Sequence, residues 1–492
     1  MIKHNLIPVL ALTFIFSQAV FSQANTYNIK DFGAKGDGKT IDSPAINRAI
    51  DAAAKAGGGC VYFPAGTYAS YSIRLKDNIH LQLANGAVLK AAQPQGNQGY
   101  DAPEASDFTR FQDFGHSHFK NSLIWGIGLK NIRIDGYGTI DGYGLTREES
   151  RIVGVGNKAI ALKECVNVDI QDLTMLHCGH FALLATGVEN MTLHNVKVDT
   201  NRDGFDIDCC RNVRISDCSV NAPWDDAIVL KASYALGRFK DTEMVTITNC
   251  YVSGFDQGSM VAGTFETDEP QAPDQGFNTG RIKFGTESSG GFKNITISNC
   301  VFEHCRGIAL ETVDGGHMED ISISNVTMKD IVNAPIFLRL GARMRSPEGT
   351  PMGSMKRISI SHINCYNADS RYSCILSGIP GYPIEDVSLS DIRIVFKGGG
   401  TAEMAALTPP ENERLYPEPW MFGLIPASGF FIRHVNNITL KDIELSYLTP
   451  DARPTFYLDN VQTIRLVRVS STLEPTVPRI KQTRVSGLTD QP

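Results

Sequence analysis

The chain contains 492 residues, of which 42% are hydrophobic and 20% charged, and its formal net charge is −7. This balance is typical of a globular protein and excludes a disordered or collagen-like chain. The acidic charge provides no basic surface for nucleic acid, so we expect no nucleic-acid partner. An acidic polysaccharide could bind only through local clusters of Arg and Lys.

Residues 1–22 have the features of a secretory signal peptide: Lys3, an apolar run from Leu6 to Phe16, and small residues near Ser22. The apolar run is too short to span a bilayer. No Cys near the expected cleavage point offers a site for a lipid anchor. We therefore expect an exported protein, periplasmic or secreted, with no stable membrane anchor. We also expect the mature chain, from about Gln23 onward, to be a monomer.

Residues 23–76 are predicted to form the N-terminal cap region of a single domain that spans residues 23–492. Ser43 can N-cap a helix with Pro44 at its first position, and an apolar stripe continues to Ala53 before the glycines that start at Gly57. That helix should cover the open end of the structure that follows.

From residue 78 onward one phrase returns, a polar residue followed by alternating apolar and polar positions. Its tightest copies begin at Asn167, Asn190 and Asn212, which are 23 and 22 residues apart. Alternation with a period of two predicts strands, and a base period near 22 predicts a coil of short strands and turns. We therefore predict an all-β fold, a parallel β-helix (solenoid) with an N-terminal capping helix. A propeller, the alternative, would need a period near 40 to 45.

Longer gaps between copies predict loop insertions near residues 254–279 and 397–427. Loops on one side of a rigid stack are where recognition is expected. Long loops can also close one end of a groove.

The eleven cysteines are odd in number and have no metal-like C-x-x-C spacing. Cys218, Cys250 and Cys300 end near-identical phrases and are predicted to be reduced core residues. The pairs Cys209/Cys210 and Cys300/Cys305 are the candidates for disulfides.

The stretch from Asn201 to Lys231 holds three carboxylates, Asp203, Asp225 and Asp226. Asp203 and Asp225 are 22 residues apart, about one coil, so they should lie about 4.8 Å apart along the stack. Such proximity raises at least one pKa, and a protonated acid beside an ionised base is what glycosidic cleavage requires. Separations of about 6.5 to 9.5 Å would leave room for water and inversion. Alternatively, these residues are turn and solvent-facing aspartates.

Several phrases of this sequence resemble glycoside hydrolase family 28, the polygalacturonase and rhamnogalacturonase-like pectin-degrading enzymes. The matching phrases are D-F-G-A-K-G-D-G-K-T, A-G-G-G-C-V-Y-F-P-A-G-T-Y, N-S-L-I-W-G-I-G-L-K-N-I-R-I-D-G-Y-G-T-I-D-G, Asn201-Arg202-Asp203-Gly204, Asp225-Asp226-Ala227-Ile228 and Lys231. The resemblance extends from about Tyr27 to beyond Ile323.

The resemblance implies a right-handed parallel β-helix and inverting hydrolysis with no metal and no other cofactor. It makes Asp225 the general acid, and Asp203 and Asp226 the residues that hold and activate the attacking water. It also implies that Asn201 and Lys231 orient the site. Arg202 stands where the family usually has Thr, and we count it with Asn201 and Lys231 as a substrate-binding candidate.

The chain departs from the family pattern at two places. In one alignment the His of the Gly-His-Gly motif falls at Thr279 or Gly280, and the Arg-Ile-Lys motif falls at Ala309-Leu310-Glu311. In the other, Arg281-Ile282-Lys283 is the Arg-Ile-Lys motif and Gln257-Gly258 is the remnant of Gly-His-Gly.

Under either alignment Arg281 and Lys283 could bind a substrate carboxylate, although a solvated strand face explains them equally well. Glu287 and Glu311 lie 24 residues apart and could contact sugar hydroxyls, or form a solvent-facing ladder. His180 and His317 are weaker candidates.

The sequence thus predicts a glycosidase that acts on a galacturonate-containing pectic polysaccharide or oligosaccharide, either an exo-type galacturonidase or a rhamnogalacturonan hydrolase. Two alternatives stay open. One is a β-helix polysaccharide lyase, which would eliminate with a Lys or Arg base and Ca²⁺. The other is a carbohydrate-binding β-helix without catalysis.

Overall fold

The computed structural model describes residues 25–96, 98–148, 151–268 and 278–491. The predicted signal peptide lies outside the described residues, as do residues 269–277 of the predicted insertion near 254–279.

The described residues form 33 strands, three α-helices and four 3₁₀ helices. The first strands are β1 (Thr26–Asn28), β2 (Asp37–Ile41), β3 (Gly59–Phe63), β4 (Gly66–Ser70), β5 (Ile73–Arg74), β6 (Ile79–Leu83), β7 (Ala87–Ala91), β8 (Ser122–Ile127), β9 (Lys130–Asp135) and β10 (Thr139–Asp141). The central strands are β11 (Lys158–Lys163), β12 (Val166–Gln171), β13 (Thr174–Leu176), β14 (Phe181–Thr186), β15 (Glu189–His194), β16 (Lys197–Asp199), β17 (Asp203–Asp208), β18 (Arg211–Ser216), β19 (Ser219–Asn221), β20 (Ile228–Ala232), β21 (Thr242–Thr248) and β22 (Tyr251–Ser253). The last strands are β23 (Ile282–Ser288), β24 (Phe292–Glu303), β25 (Ile308–Thr312), β26 (His317–Lys329), β27 (Ile336–Leu340), β28 (Ser354–Ala368), β29 (Cys374–Ser377), β30 (Ile384–Phe396), β31 (Phe430–Tyr447), β32 (Phe456–Ser471) and β33 (Ile480–Gln491). The helices are α1 (Ser43–Lys55), α2 (Ser259–Ala262) and α3 (Ala402–Ala406), and the 3₁₀ helices are Ile29–Phe32, Thr109–Phe111, Phe114–Ser117 and Pro419–Phe422.

Each strand pairs in parallel with the equivalent strand of the next coil. In the centre a coil has three strands, so β14 pairs with β17 and β17 pairs with β20. Later coils join two of these strands into one, because β24 pairs with both β21 and β22. This is the predicted parallel β-helix, and a propeller is excluded because its blades are antiparallel sheets.

The core is a stack of apolar side chains in register from coil to coil. Val168, Met191, Val213, Val245 and Ile295 pair successively and are at most 1% exposed. They are the inward-facing positions of the repeated phrase. A single coil cannot bury these side chains alone, so hydrophobic burial requires the coils to stack.

The Asn that begins the phrase has two structural roles. Asn131, Asn167, Asn190 and Asn212 all have φ between 57° and 59°, a left-handed conformation that Asn tolerates better than most residues. Each also donates its side-chain amide to the Asn of the preceding coil, at distances from 2.7 to 3.1 Å. The result is an asparagine ladder along one turn of the solenoid.

The capping helix α1 buries Ile46, Ala49, Ile50 and Ala53 against the first coil, as the sequence predicted. Its N-cap, however, is Asp42, and Ser43 is the first helical residue. The Asp42 carboxylate does not cap the helix. It accepts the backbone N–H groups of Lys35 (2.7 Å) and Gly36 (3.0 Å) and so fixes the glycine-rich segment before the helix.

All eleven cysteines are buried thiols that form no disulfide, including the pairs Cys209/Cys210 and Cys300/Cys305. Cys218, Cys250 and Cys300 lie in the core at successive coils, where their phrases predicted them. No helix within the described ranges is both long and apolar enough to cross a membrane.

Replacing Asn190 should weaken the solenoid, because this residue has ladder partners on both sides. We expect Asn190→Ala to lower the free energy of unfolding by about 2 kcal/mol. Two hydrogen bonds are lost, and Ala tolerates the left-handed backbone conformation less well than Asn does. Asn190→Gly should lose less, since Gly accepts this φ. The midpoints of chemical denaturation measure the stability of both variants. Equal losses would show that the backbone conformation contributes nothing.

Candidate active site

One polar cavity of about 240 Å³ lies on the outer face of the central coils. It is lined by Asp113, His116, His180, Arg202, Asp203, Asp225, Asp226, Lys231, Lys283, Thr286, Glu287, Tyr416 and Trp420. Strands β17, β20 and β23 and the turns before them supply its floor, and two long segments supply its walls.

The three carboxylates predicted from the sequence meet on this floor. Carboxylate oxygens of Asp203, Asp225 and Asp226 all lie within 4.8 Å of one another. The register differs from the predicted one, because Phe205 pairs with Ile228 and the Gly204 N–H donates to the Asp226 carbonyl (3.1 Å). The neighbour of Asp203 across the strands is therefore Asp226, and the turn before β20 brings Asp225 to the same place.

The three carboxyl groups have different surroundings. Asp226 lies 2.9 Å from Arg281 Nε and 3.3 Å from Lys283 Nζ. Although burial alone would raise its pKa, the charges of Lys283 and Arg281 lower the pKa of Asp226 to about 2. Asp225, the most exposed of the three, accepts from Arg202 Nη2 at 2.8 Å.

Asp203 has the opposite environment. It is 3% exposed, and burial together with the nearby charge of Asp225 raises the pKa of Asp203 well above its usual range. A carboxyl with a raised pKa therefore lies beside one whose pKa is lowered. The closest carboxylate oxygens thus lie nearer to one another than the separation of about 6.5 to 9.5 Å that is usual between the two carboxyl groups of inverting glycosidases.

Lys231 organises a second group of charges beside the three aspartates. Its Nζ lies 2.9 Å from Asp206 Oδ2, 3.5 Å from Glu287 Oε2 and 2.5 Å from His116 Nε2. Burial would lower the pKa of Lys231, but Asp206 and Asp203 raise it well above its usual value. Lys231 is therefore a permanent cation at the cavity. His116, Asp203 and Asp206 have spacing that could hold a metal ion, yet the Lys231 ammonium already lies against Asp206 and His116.

Two of the predicted binding residues lie behind the cavity instead of lining it. Arg281 is 2% exposed and is bonded to Asp226 and to Glu418. Glu311 is fully buried, and burial raises its pKa to about 8 against the opposing charges of Lys283 and Arg281. Both therefore face other protein groups, whereas Lys283 lines the cavity.

The other predicted residues divide in the same way. Glu287, Arg202 and Lys231 line the cavity, as does the weaker candidate His180. Asn201 is fully buried and is not among the lining residues, and His317 lies on the exposed start of β26.

No histidine can occupy Gly280, one of the two positions that one alignment gave to the histidine of the Gly-His-Gly motif. Gly280 has φ 52°, and a β-carbon there would lie 2.1 Å from the Ser253 carbonyl oxygen. The imidazoles of this cavity come from elsewhere. His180 bonds through Nδ1 to the Arg147 carbonyl (2.8 Å), and burial lowers its pKa well below its usual value, so its ring is neutral.

Sequence reasoning missed the residues that the walls contribute. Asp113 and His116 belong to the segment of 3₁₀ helices at 109–117, and Tyr416 and Trp420 belong to the predicted insertion near 397–427. Neither segment contains the repeated phrase, so the period of the sequence could not predict that these segments lie over the central coils. The only available signal was the position of these insertions between repeats.

Two family models match this chain. Residues 26–175 match the model "Rhamnogalacturonase A/epimerase, pectate lyase-like", and residues 106–255 match the model "Glycosyl hydrolases family 28". A probable polygalacturonase of Vitis vinifera is 26% identical over 395 residues, which are 76% of this chain and 75% of that protein.

Two solved structures are similar to this one. The exopolygalacturonase of Thermotoga maritima has a TM-score of 0.59 and 20% identity, over 76% of this chain and 87% of that chain. The family 28 exopolygalacturonase of Yersinia enterocolitica has a TM-score of 0.58 and 17% identity, over 96% of this chain and 79% of that chain. This likeness shows the fold, and the predicted right-handed parallel β-helix is confirmed.

The family 28 match covers the wall segment with His116 and all three aspartates of the floor. Together with the fold, it confirms the family predicted from the sequence phrases. Residues 106–255 therefore match glycoside hydrolase family 28, the family that the sequence phrases predicted.

Proposed function

We propose that this glycosidase cleaves single sugars or short units from the end of a galacturonate-containing pectic chain, by an inverting acid/base mechanism. The observation that carries the proposal is the group of three carboxyls at the cavity floor, where the pKa of Asp226 is lowered and the pKa of Asp203 is raised. The pectic substrate is supported by the polygalacturonase and exopolygalacturonase names of the similar proteins. Export from the cell belongs to the same proposal and rests on residues 1–22.

In the proposed reaction Asp225 is the general acid, because it is the most exposed of the three carboxyls and can reach a leaving oxygen. Asp203 and Asp226 hold the attacking water. The bond between the anomeric carbon and the leaving oxygen breaks as the water oxygen bonds to that carbon. The leaving oxygen takes a proton from Asp225, and the water proton passes to the aspartate pair.

The raised pKa of Asp203 favours a proton on this carboxyl in the unliganded site, where the three carboxyls titrate as a unit. Asp225 lies beside Arg202. We propose that the proton moves from Asp203 to Asp225 as the leaving oxygen of the substrate approaches Asp225, while Arg202 keeps its contact with Asp225. Asp203 is then free to accept from the water.

Action at a chain end is supported by the wall from the insertion near 397–427. Glu418 bonds to both Arg281 and Arg306, the latter at 2.8 Å. Arg433 donates to the carbonyls of Pro409 (2.9 Å) and Pro410 (2.7 Å). These buried bonds fix the segment against the coils, so the groove stays closed on that side.

A lyase is disfavoured by the charge state of the cavity cations. Elimination would need a neutral Lys or Arg as base. Burial would lower the pKa of Lys283, but Asp226 and Glu311 raise it well above its usual value, and Lys231 is likewise held as a cation. Neither can accept a proton at neutral pH.

Substrates with different leaving groups should identify the acid. We expect Asp225→Asn to lose roughly 10²- to 10⁴-fold in kcat on a natural pectic oligosaccharide but far less on an aryl glycoside, whose leaving group needs no proton. Asp203→Asn and Asp226→Asn should lose activity on both. If Asp203→Asn is the variant rescued by the aryl group, the acid assignment to Asp225 is wrong.

The pH dependence should show a loss of activity on the alkaline side. Since the pKa of Asp203 is raised, the three carboxyls keep a proton above the usual carboxyl range and lose it as the pH rises through the raised pKa. The profile of kcat/KM should fall there. A profile that stays flat until the protein unfolds would contradict a shared proton.

The products should distinguish end-on from internal cleavage. On a long pectic chain we expect short products from the first turnovers, with slow loss of viscosity, and the opposite anomer by NMR. Random-length products would refute chain-end action, and retention of the anomer would refute inversion.

A further inference from the structure

The charges around the cavity indicate which sugar it accepts. We propose that the cavity binds a neutral sugar at the chain end, a hexose or 6-deoxyhexose without a carboxylate, while galacturonate lies beyond the scissile bond. This inference rests on the proposed function and names the sugar class that the same site takes.

Each cation that lines the cavity is already paired with a protein carboxylate. Arg202 lies 2.8 Å from Asp225, and Lys283 lies 3.3 Å from Asp226. Lys231 lies 2.9 Å from Asp206. A galacturonate carboxylate would have to displace one of these partners to find a counter-ion.

The arginines just outside the lining are paired as well. Arg343 Nη2 lies 2.5 Å from Asp314, and Arg345 Nη1 lies 2.7 Å from Asp113. Behind the floor, Arg281 is held by Asp226 and Glu418.

The Glu287 carboxylate lies among three cations beside the cavity. It lies 3.5 Å from Lys231, 3.9 Å from Arg343 and 3.8 Å from Arg345. Burial would raise the pKa of Glu287, but Lys231 and the neighbouring cations hold it well below its usual range. A protein carboxylate thus occupies the position where a uronate carboxylate would bind.

The family's Arg-Ile-Lys position offers no replacement. Ala309, Leu310 and Glu311 stand there in the alignment that places Gly280 at the motif histidine, and Glu311 is fully buried. A uronate in this cavity would be a buried charge without a counter-ion of its own, close to Asp225 and Asp226, which is unfavourable.

The cavity instead offers groups that suit an uncharged ring. Trp420 is 43% exposed at the cavity wall and presents a large aromatic face for the apolar side of a sugar. Thr286 and the neutral His180 line the same space and can bond to hydroxyls.

A matched pair of substrates tests the inference. One is a pectic oligosaccharide with galacturonate at its non-reducing end, and the other is the same molecule with that terminal carboxyl reduced to a hydroxymethyl group. A third carries a terminal 6-deoxyhexose. We expect kcat/KM of the wild type to be at least about ten-fold higher for the neutral ends. Equal or better cleavage of the galacturonate end would overturn the inference.

Calorimetry on the wild type, with non-hydrolysable thio-linked analogues of these substrates, separates this inference from the proposed function. Tighter binding of the neutral end supports the inference, whereas tighter binding of the galacturonate end, or of neither, overturns it. Absence of hydrolysis of every substrate by the wild type would overturn the proposed function alone.

Glu287→Gln tests the position that Glu287 fills. Removing its charge leaves Lys231, Arg343 and Arg345 without this partner, so the preference should shift towards the galacturonate end by about ten-fold. Glu444→Gln is the matched control, since Glu444 is paired with Arg393 (2.8 Å) away from the cavity. An unchanged preference in Glu287→Gln, or the same shift in both variants, would count against the inference.

Discussion

The contact between Asp226 and the pair Arg281 and Lys283 is the interaction on which the rest of the site depends. It joins the turn before β20 to the next coil, because Arg281 directly precedes β23 and Lys283 lies within it. It also keeps Asp226 ionised in a buried position, where an isolated charge would be neutralised. The pKa of Asp203 is raised mainly by its burial and by the nearby charge of Asp225. The ion-pair group therefore accounts for the ionised state of Asp226, and burial accounts for most of the opposite shift at Asp203.

The same group attaches the wall to the floor. Arg281 bonds to Asp226 on one side and to Glu418 on the other, and Arg306 bonds to Glu418 as well. Removing one member of such a buried group leaves the others unpaired, which costs several kcal/mol. The position of Tyr416 and Trp420 over the cavity is thus coupled to the charge state of the catalytic floor. Closure of the groove and activation of water are not independent features of this protein.

The sequence predicted the fold well because a β-helix is specified by local repetition. Each copy of the phrase supplies its own inward side chains and its own left-handed Asn, so Asn167, Asn190 and Asn212 revealed the coil without any long-range information. The three aspartates were found for the same reason, since they lie within one repeat of each other. The exact pairing of Asp203 with Asp226 was not predicted, because the turn before β20 makes that coil one residue longer than the 22 residues expected. His116 and Trp420 could not be placed, because wall segments are positioned by ion pairs and packing that leave no period in the sequence.

The departures from the family pattern are connected through the register of two strands. Lys283 pairs with Ala309, so in the alignment that places the Arg-Ile-Lys motif at Ala309-Leu310-Glu311 the cations of this chain lie one coil closer to Asp226. In that closer position they hold Asp226 and leave no charge for a substrate carboxylate. Glu311, where the motif would place its lysine, is then buried behind them, and burial keeps it largely protonated at neutral pH because its pKa is about 8. A shift of positive charge by one coil thus changes these side chains from groups that could bind a uronate into groups that support the catalytic carboxylate.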